Sequence, residues 1–351
     1  MKNILFVYNN SLDGSYGGSQ RTAKALYGLS LFAEIEKYSC IKKSNQIRTL
    51  LRNLFLFSGN LSLHDCKEIV KLISEKKYDA VYFDVSLHGR LVKKIKTKFP
   101  KLKVIVSYHN FEEKFFYDSY RQNGILHYPV YKAAVYNERL SSRYADFNIF
   151  ISAEDLSNVK PMNKSIVIPA TLKDYYTEFP FIGEHYLLFI GSATGPNIDA
   201  AMIIIEKIAP CVGIKCVIAG SGMDKIFTSY DEKQVAVIGY VKDFSTLLSG
   251  AVAFISPLYY GSGSKIKIAE ALMFGKKVLA TGDSFNGYDM SGLVYSVCNT
   301  PGDFINEIKR LDLNKKFYEE NRLRFLEKYS DENLNTYYKQ VFEFIEVGDC
   351  K

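Results

Sequence analysis

The chain has 351 residues, of which 47% are hydrophobic and 24% are charged. This is the composition of a globular protein with room for two domains, and no stretch reaches the 18 uninterrupted apolar residues of a transmembrane helix. The first residues carry one lysine and five apolar residues before Asn9 and Asn10, which predicts a first strand and not a signal peptide.

Cysteine, histidine and charge distributions narrow the function classes further. Six cysteines are scattered without a C-x-x-C pair, which predicts reduced thiols of the cytoplasm, and five dispersed histidines predict no metal site. Residues 1–170 carry 26 Lys/Arg and 15 Asp/Glu, whereas residues 171–351 carry 19 and 23. The basic first half predicts an anionic partner, either nucleic acid or a membrane surface.

The chain opens with a strand, a glycine loop and a helix. Residues 4–8 predict a buried strand, and residues 19–32 have the apolar spacing of a helix. The loop between them ends in Gly17 and Gly18. Because such a loop turns backbone N–H groups toward a helix N-terminus, it predicts an anion site, with a plain tight turn as the alternative.

Two basic segments follow. Residues 42–57 mix four cations with leucine and phenylalanine, which favours either an interfacial membrane segment or an amphipathic helix packed on its own domain. Residues 90–103 are rich in Lys and Arg and contain no acid. They predict a solvated helix end and turn that could reinforce a membrane-facing surface.

Polar residues follow two further predicted strands, at 80–84 and 104–107. Asp84 and His88 fall at or just beyond the end of one strand, and His109 and Asn110 follow the other. Ligands bind at the carboxyl ends of strands in open parallel sheets, so these side chains are candidate site residues. A structural role is the alternative for each histidine.

The second half repeats the β-loop-α unit. Most of its predicted strands are followed by glycine or serine loops, which indicates a doubly wound parallel sheet. The predicted strands are residues 187–191, 216–220, 235–239, 251–256 and 278–281. A helix is predicted at 198–209, and a last helix at 332–347.

Residues 257–281, PLYYGSGSKIKIAEALMFGKKVLAT, predict the central site of the chain. A glycine loop follows the strand at 251–256, and a helix is predicted over 265–274, with Lys267 and Glu270 together on one exposed turn. Loop amides, the helix N-terminus and Lys267 suit a phosphate. Glu270 suits the diol of a ribose, so the pattern predicts a nucleotide site. The alternative is a Rossmann-like strand–loop–helix with a solvated Lys/Glu pair.

This stretch resembles the donor-nucleotide signature of retaining glycosyltransferases of the GT-B fold, family 4, in the bacterial branch with G-S-G-T-x-x-K-x-x-E-A-x-x-x-G-K-P-V-V. It departs from the E-x7-E pattern of many members, because Ser262 holds the place of the glutamate that contacts the donor sugar. The resemblance implies an α/β fold of two Rossmann-like, doubly wound parallel-sheet domains facing across a cleft. Residues 1–168 would form the acceptor-side domain and 169–330 the donor domain, and 331–351 would cross back to the first.

The resemblance also assigns site residues. His109 and Asn110, in VIVSYHNFEE, resemble the family's H-N pair, whose histidine lies against the donor sugar. The expected catalytic residues are His109, Lys267 and Glu270, and the expected acceptor-side residues are His88, Asn110 and Arg21. Glu138 resembles a family position of structural character. The expected donor nucleotide and phosphate ligands are Gly17, Gly18, Gly191, Gly261, Ser262, Gly263, Ser264, Lys265, Lys267 and Glu270.

The function implied is retaining transfer of a sugar from a nucleoside-diphosphate sugar to a saccharide acceptor. The family context and the basic first half suggest a lipid-linked acceptor for capsule or O-antigen, at the inner face of the cell membrane. No protein nucleophile, metal or cofactor is expected, and no nucleic acid, because no known binding module is present. A non-hydrolysing sugar-nucleotide epimerase and a catalytically silent scaffold subunit are the alternatives.

Overall fold

The computed structural model describes residues 2–14, 17–40, 52–57, 61–178, 184–260 and 266–346. The chain divides into two compact units, one formed by Met1–Pro169 with Leu334–Lys351 and the other by Ala170–Asn333. Each unit contains one six-stranded sheet whose paired strands all run parallel. The predicted α/β fold with two parallel sheets is confirmed.

The sheet of the first unit has the order β2-β1-β3-β4-β5-β6. Its inner strands are short and mostly apolar, as a sheet covered on both faces requires. The bounds are β1 Lys2–Tyr8, β2 Ala33–Ser39, β3 Ala80–Phe83, β4 Lys103–Ser107, β5 Phe147–Phe150 and β6 Lys164–Val167.

The sheet of the second unit has the order β12-β11-β10-β7-β8-β9. Its central strands β7 and β10 have no exposed residue. The bounds are β7 Tyr186–Ile190, β8 Lys215–Ala219, β9 Val235–Ile238, β10 Ala251–Ser256, β11 Lys277–Ala280 and β12 Tyr295–Val297.

Helices connect the strands. The bounds in the first unit are α1 Gly17–Ser30, α2 Leu63–Glu75, α3 Gly89–Lys98, α4 Glu112–Asn123, α5 Tyr128–Tyr144 and α6 Ala153–Val159. Those in the second unit are α7 Gly195–Ile203, α8 Met223–Ile226, α9 Ser245–Gly250, α10 Ile266–Met273, α11 Pro301–Lys309 and α12 Glu319–Arg324. The last helix, α13, is Leu334–Glu346 and belongs to the first unit.

Alternate residues of each sheet supply two cores. In the first unit Leu5 and Val7 pack toward α2 and α3, whereas Ile4 and Phe6 pack toward α1 and α13. The contact between α1 and α13 is close: a Cβ at Gly28 would lie 2.1 Å from the ring of Tyr338. In the second unit one face packs against α10 and the other against α7 and α11. Each fully buried large apolar side chain contributes roughly 1.5–3 kcal/mol.

The helix boundaries differ from the predictions at the first glycine loop. Helix α1 begins at Gly17, so Gly17 and Gly18 are its first two residues and not part of the preceding loop. Among the described residues, no helix combines the length and apolar character needed to cross a bilayer.

Candidate functional site

The second unit presents its candidate site where β10 leads into α10. The predicted loop residues Gly261, Ser262, Gly263, Ser264 and Lys265 lie outside the described residues. The helix that follows is described in full, and six of its eight residues, 268–273, are buried. The site is therefore described from Lys267 and Glu270.

Lys267 and Glu270 form an ion pair on α10. Lys267 Nζ lies 2.7 Å from Glu270 Oε2 and 4.5 Å from the ring centroid of Phe244. Glu270 is only 8% exposed, so the prediction that both residues occupy an exposed turn is wrong for the carboxylate. The reason is that α10 packs against the sheet on one side and against residues 319–329 on another, which the spacing of Lys267 and Glu270 does not reveal.

Tyr175 is a second partner of Glu270. Burial raises the pKa of the Tyr175 phenol far above its ordinary value, and the charge of Glu270 and a hydrogen bond to it add to the effect. The phenol therefore stays protonated beside the carboxylate. Tyr288 OH accepts a bond of 3.1 Å from the Ala269 backbone and so fixes the same turn of α10. Glu270 is held as an oriented acceptor, which is the state that a ribose diol requires.

The loop after β7 lies beside the end of β10, because β7 and β10 are neighbours in the sheet. Gly191 allows a tight approach: a Cβ there would lie 2.7 Å from the Asn197 side chain. Asn197 Nδ2 in turn donates to the Ser192 carbonyl at 2.8 Å. Tyr260 OH, from the end of the β10 segment, donates to Asp199 Oδ2 on α7 at 2.6 Å. The structure thus brings Gly191 and the α10 site to one edge of the sheet.

The first unit presents a hydrogen-bonded cluster at the carboxyl ends of β3 and β4. Asp84 is fully buried, and its Oδ1 lies 3.3 Å from His109 Nε2. Asp84 Oδ2 lies 2.5 Å from the hydroxyl of Thr22 on α1, which also lies 3.0 Å from the Gly18 carbonyl. Asn10 Nδ2 donates to the same hydroxyl at 3.1 Å. Asp84 therefore fixes the orientation of the His109 ring.

His88 is buried within the first unit. It ends a 3₁₀ turn after β3 and is 1% exposed. Its Nε2 lies 3.1 Å from Asn9 Nδ2, and burial lowers its pKa to about 4. Nε2 of a neutral ring accepts from the amide, which places the proton on Nδ1. His88 Nδ1 is buried and has no hydrogen-bond partner among the described residues, and the acceptor-side role of His88 stays a prediction.

Arg21 ties α1 to the end of β6. Its Nη1 donates to the Ile168 carbonyl at 3.1 Å. Its charge also opposes the rise in the pKa of Asp155, which is caused first by burial. The predicted acceptor-side residue Arg21 is therefore engaged within the first unit.

Two buried carboxyl groups lie next to the His109 segment. Glu138 on α5 accepts hydrogen bonds from the backbone N–H groups of Glu112 (2.9 Å) and Glu113 (3.1 Å), the first two residues of α4. Burial and the nearby Glu138 raise the pKa of Glu112 to about 8, and burial raises that of Glu138 to about 7. The N–H bonds favour the charge on Glu138, so Glu112 carries the proton at neutral pH. Asn110 donates to the Glu112 carboxyl.

Several of these contacts have no local signal in the sequence. Thr22 supports Asp84 from 62 positions away, and Tyr175 reaches Glu270 from nearly a hundred. The apolar run before Asp84 and the strand before His109 can be recognised in the sequence. Which side chains of α1 or of residues 170–178 contact the site residues depends on how the helices pack.

Comparisons with known proteins agree with the architecture. Residues 184–314 match the family model described as glycosyl transferases group 1. HepE from Anabaena, solved with UDP and glucose, has a TM-score of 0.63 at 12% identity, over 98% of this chain and 100% of that chain. The fold is GT-B. A glycosyltransferase from Rickettsia africae ESF-5 gives a TM-score of 0.63 at 16% identity over 98% of both chains.

A third GT-B structure, TarM of S. aureus solved with Fondaparinux, alpha-GlcNAc-glycerol and UDP, gives a TM-score of 0.54 at 18% identity. That comparison covers 82% of this chain and 59% of TarM. No curated protein sequence matches the chain. The family match and the GT-B fold support a transferase enzyme.

Proposed function

We propose that the protein is a retaining glycosyltransferase that moves a sugar from a nucleoside-diphosphate sugar to a saccharide acceptor. The observation that carries this proposal is the Lys267–Glu270 pair. Its carboxylate is buried, its lysine is half-exposed, and both belong to the segment that matches the glycosyl transferases group 1 model. A buried acceptor beside a cation suits a ribose linked to a diphosphate.

Electrostatic stabilisation of the leaving group supplies the chemistry. As the bond to the sugar breaks, negative charge grows on the diphosphate, and a cation placed there lowers the barrier. Lys267 has three N–H donors, and its ammonium group lies 2.7 Å from Glu270 Oε2. The N–H donors not engaged with Glu270 serve the phosphate. His109, oriented by Asp84, is proposed to act on the donor sugar, with no protein nucleophile, metal ion or cofactor.

UDP is the first nucleotide to test. HepE was solved with UDP and with UDP-glucose, and TarM with UDP. For the acceptor we propose a lipid-linked saccharide of a surface polysaccharide such as capsule or O-antigen, at the inner face of the cell membrane. The excess of Lys and Arg in residues 1–170 supports a partner with an anionic surface.

A thermal-shift comparison of UDP with GDP, dTDP, CMP, ADP and NAD tests the donor site. A ligand at about 100 times its dissociation constant adds roughly 2.7 kcal/mol to the free energy of unfolding and raises the melting temperature. Glu270→Ala should abolish the shift, whereas Asp199→Ala, a carboxylate that binds Tyr260, should keep most of it. Absence of stabilisation by every nucleotide would contradict the proposal.

Turnover then tests the role of Lys267. Lys267→Ala should lower the rate of transfer by on the order of 10²–10³ with the fold intact, and the exposed Lys225→Ala on α8 should remain active. Near-normal activity of Lys267→Ala would remove this residue from the mechanism. NMR of the product distinguishes retention from inversion at the anomeric carbon. An epimerised sugar nucleotide would identify an epimerase, and neither transfer nor hydrolysis would identify a silent subunit.

A further inference from the structure

The hairpin formed by α4 and α5 exposes an aromatic surface. Within the described part of the chain α4 buries one residue, Glu112, although it carries the consecutive aromatic residues Phe115, Phe116 and Tyr117. Tyr117 is 43% exposed. The tyrosines of the hairpin contact one another, with ring centroids 5.4–6.3 Å apart, at positions 117, 120, 128 and 131. A helix of this composition is normally covered.

The tip of the hairpin is apolar and ordered. Helix α4 ends at Gly124, whose φ of 80° favours glycine, and a 3₁₀ turn of Ile125–His127 leads into α5. His127 N donates back to the Gly124 carbonyl at 3.0 Å, which closes this turn. Ile125 is 71% exposed and Leu126 is 73% exposed. The turn therefore holds two aliphatic side chains in solvent on a fixed backbone.

The exposed face of α5 continues this surface with tyrosine and lysine. Tyr128, Lys132 and Tyr136 are four residues apart and so form one stripe along the helix. The two tyrosines are each 39% exposed, and Lys132 Nζ lies 5.4 Å from the Tyr128 ring centroid. Amphipathic rings alternating with a long cationic side chain are typical of segments at a membrane–water interface.

A second exposed apolar turn is fixed to the same helix. Leu54 is 57% exposed and Phe55 is 71% exposed. Asn137 Nδ2 on α5 donates to the Leu56 carbonyl at 3.0 Å, and Arg90 Nη1 donates to the Phe55 carbonyl at 2.6 Å. Asn137 is nine residues beyond Tyr128, about 14 Å along the helix axis at 1.5 Å per residue. Asn137 also lies about 140° around the helix from Lys132, so this turn is attached to a different face of α5 from the stripe.

We propose that this α4–α5 surface, formed by the tip at 125–126, the tyrosines of the hairpin and the stripe on α5, binds the surface of an anionic lipid bilayer. The charge supports this partner: between Lys114 and Tyr136 there are three cations and one acid, and α3, which packs on α5, has cations but no acid. Exposed aliphatic side chains insert at the boundary between the lipid headgroups and the acyl chains, while Tyr and Lys side chains remain among the headgroups. This inference depends on the proposed function in one respect only, namely the proposed lipid-linked acceptor.

Vesicle sedimentation tests the surface. The full chain should sediment with vesicles of phosphatidylglycerol and phosphatidylcholine and much less with phosphatidylcholine alone. Ile125→Ser with Leu126→Ser should weaken binding about tenfold or more, and Lys132→Ala should weaken it and reduce its salt dependence. Met162→Ser is the matched control, because Met162 is 73% exposed in the same unit but outside the α4–α5 surface. It should bind as the unmodified chain does.

Two results would overturn the proposal: no preference for anionic vesicles, or equal binding by the double variant and the control. A dimer that the double variant dissociates, seen by analytical ultracentrifugation, would assign the surface to a second copy instead. If the double variant melts at a lower temperature, Leu126→Ser alone repeats the test. If UDP still stabilises every variant, a loss of vesicle binding is not caused by a loss of nucleotide binding at the donor site.

Discussion

Replacing Glu112 by glutamine should change how stability depends on pH. Glu112 is buried beside Glu138, and its pKa is raised to about 8, whereas a glutamate of the unfolded chain titrates near 4.3. Between these values the folded state holds a proton that the unfolded state lacks. Stability from this group is therefore fully present below about pH 4.3 and is lost as the pH rises through about 8.

The size of the effect follows from the shift. Each pKa unit corresponds to 1.36 kcal/mol, so a rise of about 3.5 units amounts to roughly 4–5 kcal/mol. Glu112→Gln keeps a neutral side chain at every pH. The free energy of unfolding of the variant minus that of the unmodified chain should therefore increase by several kcal/mol between pH 5 and pH 8.5.

Hydrogen exchange of the backbone amides of α4 and α5 is measured at pH 5, 7 and 8.5 and corrected for the intrinsic exchange rates. It gives the stability of the first unit separately from that of the second. Asp118→Asn is the matched control, because Asp118 is an exposed carboxylate on the same helix. Its difference from the unmodified chain should stay nearly constant over this range. A Glu112→Gln difference that is equally constant would refute protonation of Glu112 in the folded state.

Two further predictions concern other buried charges. Asp84→Asn should slow transfer by about 10–100-fold, because the His109 ring loses a hydrogen bond to a carboxylate. Stabilisation of the protein by the nucleotide should persist. An unchanged rate of transfer would exclude the proposed role of Asp84 in orienting His109. Lys276→Met should lower the free energy of unfolding by about 2–5 kcal/mol, because Lys276 Nζ donates to the buried carbonyl of Ala251 and to the partly buried carbonyls of Ser249 and Lys316. Urea denaturation with Lys277→Met as the control, where a smaller loss is expected, measures this difference.

The sequence predicts the inner strands except β5, and among the edge strands it predicts β9. Apolar runs such as residues 251–256 coincide with β10, because a strand covered on both faces admits few polar residues. β2, with its three charged residues among seven, and β12, with two exposed residues of three, were not predicted. At a sheet edge polar side chains reach solvent, so the apolar signal disappears.

The candidate site was predictable only in part. Asp84, His109 and Glu270 are found from strand ends and from helical spacing, which are local features. The burial of Glu270 and its contact with Tyr175 depend on how α10 and residues 170–178 pack within the second unit. Likewise, the carboxyl pair of Glu112 and Glu138 joins helices that are separate in the chain. Such contacts follow from tertiary packing, which no short pattern encodes.

The two proposed binding events should respond differently to salt. Residues 171–351 carry more acidic than basic residues, so a phosphate near Lys267 is held by contacts at short range and not by the field of that half. Interactions within about 3–4 Å are screened little, since the Debye length is about 10 Å at 0.1 M salt. Binding of the α4–α5 surface to vesicles sums many exposed charges and should weaken steeply between 0.05 and 0.5 M salt. Stabilisation by UDP should change little over that range, and an equally steep loss would show that long-range charge, and not the α10 pair, dominates nucleotide binding.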